Sequence, residues 1–264
     1  MPPFVKQISS AANPAVKLLK SLDLKKHRDE SGLFLVEGIR HIREAADAGW
    51  TIEHLCFAPA AQADAHDFMQ TATVAEAMEM PEDLLKRITG RDNTQGVIAS
   101  LHMRTYDMAE MADGADALWV GLEDIRDPGN LGTIIRTADA VGAAGIVLVG
   151  QTCDAFAPET VRATVGAFSR QKIIRATRAD AAAALKNWRG HAVGTHLRTD
   201  TDYRKGDYSL PLLLMMGSEQ NGLSDAMADA CKQLVKIPMP GGTESLNLAV
   251  STGIMLYEIC RSRL

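Results

Sequence analysis

The sequence predicts an α/β protein in two parts: a small mixed domain over about the first hundred residues, then a larger domain built on a mainly parallel sheet. Three observations predict this. Short apolar runs such as "ALWVGLE", "GIVLVG" and "LLLMM" alternate with helix-length stretches, the pattern of strands joined through helices and buried on both faces. The 264 residues suffice for two cores. The mixed, alanine-rich stretch "MRTYDMAEMADGADA" separates two textures, which sets domains at 1–104 and 115–264 with a linker at 105–114.

The elements follow in order. Asn13 and Pro14 form a cap and first-turn pair ahead of a helix with Leu18, Leu19 and Leu22 on one face. "GLFLVEG" reads as a strand, "IRHIREAADAG" as an amphipathic helix ending at Gly49, and "TIEHLCFAP" as a strand. "MPEDLLKRI" is helical, with Pro81 near its start, and "GVIAS" closes the first domain as a strand. In the second domain "ALWVGLE" leads through a polar loop into the helix "LGTIIRTADAVG". There Leu131, Ile134, Ile135, Ala138 and Val141 keep helical spacing and leave Arg136 on another side. "GIVLVG" and "HAVGTHL" read as strands, "APETVRATVGAFSR" as a helix from Pro158, and "RADAAAALKNW" as helix-prone. "LLLMM" and "QLVKI" are strands on either side of the short helix "SDAMADAC".

Composition narrows the function. Apolar residues make up 46% and charged residues 23%, a globular mixture. No apolar run reaches bilayer length, and "MPPFVKQISS" lacks the apolar core of a signal peptide, so a cytoplasmic protein is expected. Cys56, Cys153, Cys231 and Cys260 are scattered without metal-ligand spacing to one another or to histidine. Reduced thiols and no metal are the expectation. Net charge is -5, yet residues 1–43 carry eight Lys or Arg against four acids. That basic end could meet a phosphate backbone, or be an ordinary charged helix surface.

Three glycine-containing polar loops, "EDIRDPGNLG", "GSEQNGLS" and "PMPGGTESLN", each follow a strand of the second domain and each precede helical sequence. Parallel sheets gather ligands at strand C-terminal ends, so three such loops point to one cavity. None carries a dinucleotide or Walker fingerprint, so NAD or ATP use is not supported. Gly241 and Gly242 permit a close-approaching backbone, Thr243 or Ser245 can cap the last helix, and Asn247 can aim its amide into a cleft. Asn130 can be a helix cap, Arg136 an exposed helix charge, and Glu219 a loop acid. Asp124 and Asp127 read as loop acids.

In their order and spacing, "DPGNLGTIIRTADAVG", "GSEQNGLS" and "IPMPGGTESLNLAVSTGIMLYE" resemble the three motifs of the SpoU/TrmH family of RNA ribose 2'-O-methyltransferases. "NPAVKLLKSL" and "GLFLVEGIRHIREA" resemble the ribosomal-protein-L30e-like RNA-binding domain often attached to these enzymes. The resemblance implies a SPOUT α/β fold with a deep C-terminal trefoil knot, a homodimer through the knot domain, and S-adenosylmethionine as methyl donor. It implies Asn130, Arg136, Glu219, Ser245 and Asn247 as catalytic residues, and donor contacts around Leu214, Gly217, Ile237, Pro238 and Leu246. Arg136 would hold the target phosphate and steady the developing oxyanion, since a guanidinium keeps its proton. Lys6, Lys17, Lys20, Lys25, Lys26, Arg28, Arg136 and Arg170 are the expected RNA-binding residues. The expected reaction is 2'-O-methylation of structured RNA, large-subunit ribosomal RNA foremost. The alternatives are tRNA as substrate, or a non-catalytic RNA-binding or ribosome-assembly protein. One departure is local: Thr164 and Val165 precede Gly166 and Ala167 where the family tends to read Ser-Ala-Gly-Ala.

Overall fold

In the computed structural model, which describes residues 4–111, 114–243 and 245–263, the chain divides into two units. One is Met1–Arg104 with Phe156–Arg170, and the other is Thr105–Ala155 with Gln171–Leu264. Residues 112 and 113 of the expected linker, and Glu244 of the third loop, lie outside the described residues.

The first unit runs β1 (Val5–Gln7), α1 (Pro14–Ser21), α2 (Lys25–Ser31), β2 (Leu33–Glu37), α3 (Ile39–Asp47), β3 (Ile52–Phe57), α4 (Gln62–Thr71), β4 (Val74–Glu79), α5 (Glu82–Thr89) and β5 (Val97–His102). Its five-stranded sheet has the order β1-β4-β3-β5-β2, with β5 antiparallel to both β2 and β3. Asn13 caps α1 as its sequence suggests, its side chain accepting from Ala15 N at 2.9 Å. The sequence reading did not anticipate β1, α2, α4 or β4. In β4, "VAEAME" has one β-branched residue and packs through alanine and methionine, so propensity gives no strand signal.

The segment Phe156–Arg170 completes this unit. It contains α7 (Pro158–Ala163) and packs Phe156 and Phe168 against Phe34 and Trp50, with Phe34 to Phe156 centroids 4.8 Å apart and Trp50 to Phe168 centroids 5.5 Å apart. The Trp50 indole donates to Ser169 O at 2.9 Å, satisfying its buried N–H. The longer helix expected from Pro158 stops at Ala163, because Val165 (φ 52°) and Gly166 (φ 91°) turn into the left-handed region.

The second unit runs β6 (Leu118–Glu123), α6 (Pro128–Ala140), β7 (Gly145–Val149), β8 (Lys172–Ala176), α8 (Arg178–Asn187), β9 (His191–Thr195), β10 (Leu212–Met216), α9 (Asp225–Ala230), β11 (Gln233–Val235) and α10 (Leu248–Ile259). Its six strands are all parallel, in the order β11-β9-β10-β6-β7-β8. From β6 the chain builds outward through β7 and β8. It then crosses back to lay β10 beside β6, with β9 and β11 beyond, an ordering that fits the SPOUT knot domain. Strand β8 was not anticipated, and β11 is shorter than "QLVKI". The apolar face of α6 is buried as its spacing predicts, through Leu131, Ile134, Ile135 and Ala138. Because the strands are parallel, the loops after β6, β9, β10 and β11 emerge at one edge.

Candidate active site

At that edge the three loops are joined by side-chain amides. Asp127 caps α6, accepting from Asn130 N at 2.6 Å, with Pro128 in the first turn where its missing N–H costs nothing. Asp127 is thus a helix cap rather than a loop acid, and Asn130 is left free of that duty. The Asn130 Nδ2 donates to Glu219 Oε1 at 2.8 Å in the loop after β10. Its Oδ1 accepts from Asn247 Nδ2 at 3.0 Å in the loop after β11. Asn247 caps α10, its Oδ1 accepting from Ala249 N at 2.9 Å and Val250 N at 3.2 Å. The cap expected at Thr243 or Ser245 is therefore Asn247.

The chemistry fixes both amide orientations. An ionised Glu219 can only accept, so Asn130 must turn its NH2 toward it, and the α10 N–H groups can only donate, so Asn247 must turn its oxygen toward them. A polarised relay runs from the positive end of the α10 dipole through two amides to a carboxylate. It ties all three motifs together.

Beside the relay lies a cavity of about 380 Å³, within the roughly 300–1,000 Å³ of small-molecule sites. Gly217 and Glu219 line it after β10, Ile237 after β11, and Ser245 and Leu246 before α10. Gly217 is required by contact: a Cβ there would stand 1.9 Å from Gly222 C. The turn it permits closes through Ser218 N to Gly222 O at 3.2 Å and Gly222 N to Ser218 O at 2.9 Å.

The structure does not bring every expected residue to this cavity. Leu214 is fully buried within β10, paired with Val120 and Val193. Pro238 is not among the lining residues. Arg136 is exposed on α6, six residues beyond Asn130, and makes no ion pair or hydrogen bond among the described residues. Conversely, Thr195, His196 and Leu197 at the end of β9 line the cavity unanticipated. "HAVGTHL" was legible as a strand, and its C-terminal end obeys the same rule as the glycine loops.

The expected RNA-binding residues separate by environment. Lys17 and Lys20 are exposed on α1 without ion-pair partners among the described residues. Lys25 and Lys26 pair along α2 with Asp29 and Glu30, Lys6 pairs with Glu76 at 2.9 Å, and Arg170 reaches Glu44 at 3.4 Å. Arg28 corrects the sequence reading. It is 2% exposed, and its Nη1 donates to Leu22 O at 2.7 Å and Asp23 O at 2.8 Å. It closes the end of α1 and is not available to a phosphate.

All four cysteines are free thiols. Burial raises Cys153 to about 11 and Cys231 to about 12. Among the described residues, no three or more His, Cys, Asp or Glu side chains form a group that could hold a metal ion.

Comparison with known proteins gives two consecutive family matches, the second of which spans the 156–170 segment that packs in the first unit. Residues 13–99 match the MRM3-like substrate binding domain, and residues 117–257 match the SpoU rRNA Methylase family. The crystal structure of an AdoMet-bound rRNA methyltransferase from Sinorhizobium meliloti superposes with a TM-score of 0.92 at 41% identity, covering 98% of this chain and 99% of that one. A 23S rRNA (uridine(2479)-2'-O)-methyltransferase from Streptomyces viridochromogenes is 31% identical over 90% of this chain and 85% of its own length. The 23S rRNA (guanosine(2553)-2'-O)-methyltransferase RlmP of Bacillus subtilis is 29% identical over 97% and 99%. With three strand-end loops locked by one amide relay and a family match across more than half of its length, this chain belongs to the SpoU rRNA Methylase family.

Proposed function

We propose that this protein transfers the methyl group of S-adenosylmethionine to a ribose 2'-hydroxyl of structured RNA, with large-subunit ribosomal RNA as substrate. The observation that carries the reading is the Glu219–Asn130–Asn247 relay beside the strand-end cavity. The names of the relatives favour ribosomal RNA over tRNA.

The cavity suits the donor. Ile237, Leu246 and Met216 offer apolar walls for an adenine, and the turn after Gly217 offers main-chain groups. Glu219 places a carboxylate where a sulfonium would be attracted. Lys236, which also lines the cavity, is engaged by Asp200 at 2.8 Å. When bound, the donor supplies an electrophilic methyl group and departs as a neutral thioether. The protein's own task is alignment and charge placement. Asn130 and Asn247 hold Glu219 in one orientation, and Ser245 sits where it can position the nucleotide. Arg136, unpaired among the described residues, has donors free to grip the target phosphate in a forked geometry. Unit 1 supplies further phosphate contacts through Lys17 and Lys20.

We also propose a homodimer through the C-terminal domain. On α10, Val250 is 53% exposed and Tyr257, seven residues on, is 54% exposed, an apolar stripe suited to a partner copy. A cytoplasmic location accords with the absence, among the described residues, of any helix long and apolar enough to cross a membrane. Incubation with methyl-labelled donor and total ribosomal RNA, followed by mapping of the modified nucleoside, tests the reading. A ribose 2'-O-methyl mark is expected, and a base-methyl mark would overturn the chemistry.

A further inference from the structure

Outside the relay, one carboxylate of the second unit is buried at the strand edge. Glu123, the last residue of β6, is 2% exposed. Its two oxygens are divided between two donors: Oε1 accepts from Arg178 Nε at 2.5 Å, and Oε2 accepts from Ser224 N at 2.7 Å. Ser224 is the residue at which the loop after β10 rejoins the fold. Its Oγ caps α9 by accepting from Met227 N at 3.3 Å, and Leu223 before it is buried. The loop thus has two anchors. Gly217 fixes its near end by close packing, and Glu123 fixes its far end by a charge-assisted bond to a main-chain N–H.

Arg178 in turn is held by the neighbouring Asp124, whose other oxygen accepts from Gln151 N at 2.7 Å. Asp124 adopts φ 53°, a left-handed conformation that aspartate tolerates better than most residues. This turns two consecutive acids to the same guanidinium.

We propose that Glu123 is a positioning residue for the methyl-donor cavity, fixing the Gly217–Ser224 loop through the Ser224 N–H while Arg178 holds its carboxylate in place. The proposal rests on the reading of that cavity as the donor site. Glu123 does not line the cavity, and it acts through the loop that does. An ionised carboxylate suits the task because it accepts from both donors at once. A glutamine offers one oxygen and one NH2, so it must forgo either Ser224 or Arg178.

The test uses the full-length protein and S-adenosylhomocysteine as probe, titrated calorimetrically against wild type, Glu123→Ala, Glu123→Gln and Arg178→Ala. Loss of a charge-assisted anchor predicts Kd weaker by about tenfold for Glu123→Ala, with a smaller loss for Glu123→Gln. KM for the methyl donor should rise with it while KM for RNA stays at the wild-type value, a split that general destabilisation would not produce. Amide hydrogen exchange without ligand provides the second measurement. Residues 218–224 should exchange faster in Glu123→Ala and less so in Glu123→Gln, while β6, β7 and β10 keep their protection. Wild-type affinity and unchanged 218–224 exchange in the Glu123 variants would overturn the proposal alone. A wild-type chain that does not bind S-adenosylhomocysteine would overturn the donor-site reading and this proposal with it.

Discussion

Substitution of Asn247 separates what the relay does for stability from what it does for chemistry. In Asn247→Ala both ends of the amide vanish. Loss of the two N–H contacts at the start of α10 costs about 1 kcal/mol, the usual value of an N-cap. For a chain of this size that lowers Tm by roughly 2–4 °C. Asn247→Asp keeps the cap, since a carboxylate at a helix N-terminus accepts the same N–H groups and gains about 0.3–1 kcal/mol from the dipole. It removes the donor to Asn130 Oδ1, leaving two acceptors face to face where the amide now bonds at 3.0 Å. Rotating the Asn130 amide only moves the conflict, because its oxygen would then confront Glu219. The aspartate variant should therefore melt within about 1 kcal/mol of wild type and yet lose methyl transfer by about 10- to 100-fold, the scale of small misplacements at a reacting centre. Thermal unfolding and labelled-methyl incorporation into ribosomal RNA measure the two quantities on the same preparations. Wild-type turnover in Asn247→Asp would refute the relay, and an unchanged Tm in Asn247→Ala would refute the cap.

Other outcomes follow from the same geometry. Arg136→Ala should cut turnover and leave Tm unchanged, because the side chain is exposed and unpaired among the described residues; thermal unfolding beside a methylation assay checks both halves. Arg28→Ala should destabilise the first unit by about 1–3 kcal/mol, since it strips charged donors from the buried Leu22 carbonyl and the part-buried Asp23 carbonyl at the end of α1. Lys17→Ala with Lys20→Ala should instead leave stability intact. If both lysines meet phosphates, this double substitution should weaken RNA binding and reduce the salt slope by about 1.5 to 2, read from binding at several salt concentrations. Burial sets Cys153 near 11, above the ordinary thiol value of 9.0. Iodoacetamide labelling at that residue should be slow at pH 8 and rise as pH climbs toward 11. The same shift makes its contribution to stability full below about pH 9 and progressively lost between 9 and 11, as the unfolded thiol ionises first.

The sheet and its ligand edge were legible because their residues announce themselves locally. "GIVLVG" and "LLLMM" carry buried-strand composition, and the apolar spacing of Leu131, Ile134, Ile135 and Ala138 marks the core face of α6. That Glu219, Asn130 and Asn247 share a site followed from loops at parallel strand ends. That they bond in one directed series did not, because amide orientation depends on which neighbour can only donate or only accept. Arg28 was misread for a related reason. In sequence it is one more cation in a basic stretch, and only the carbonyls at the end of α1 show that it is consumed internally. The β9 contribution at Thr195–Leu197 lacked a glycine loop to flag it. Strand β4 was hidden by an alternation of alanine with acids.

The return of residues 156–170 to the first unit has a consequence for biosynthesis. Phe34 and Trp50 emerge early, yet two of the rings that cover them, Phe156 and Phe168, arrive more than a hundred residues later. At translation rates of about 5–20 residues per second, the interval between residues 104 and 170 lasts roughly 3–13 s. A nascent chain halted after residue 104 carries an unsealed aromatic surface, so the amino-terminal half matures only when the catalytic half is well under way.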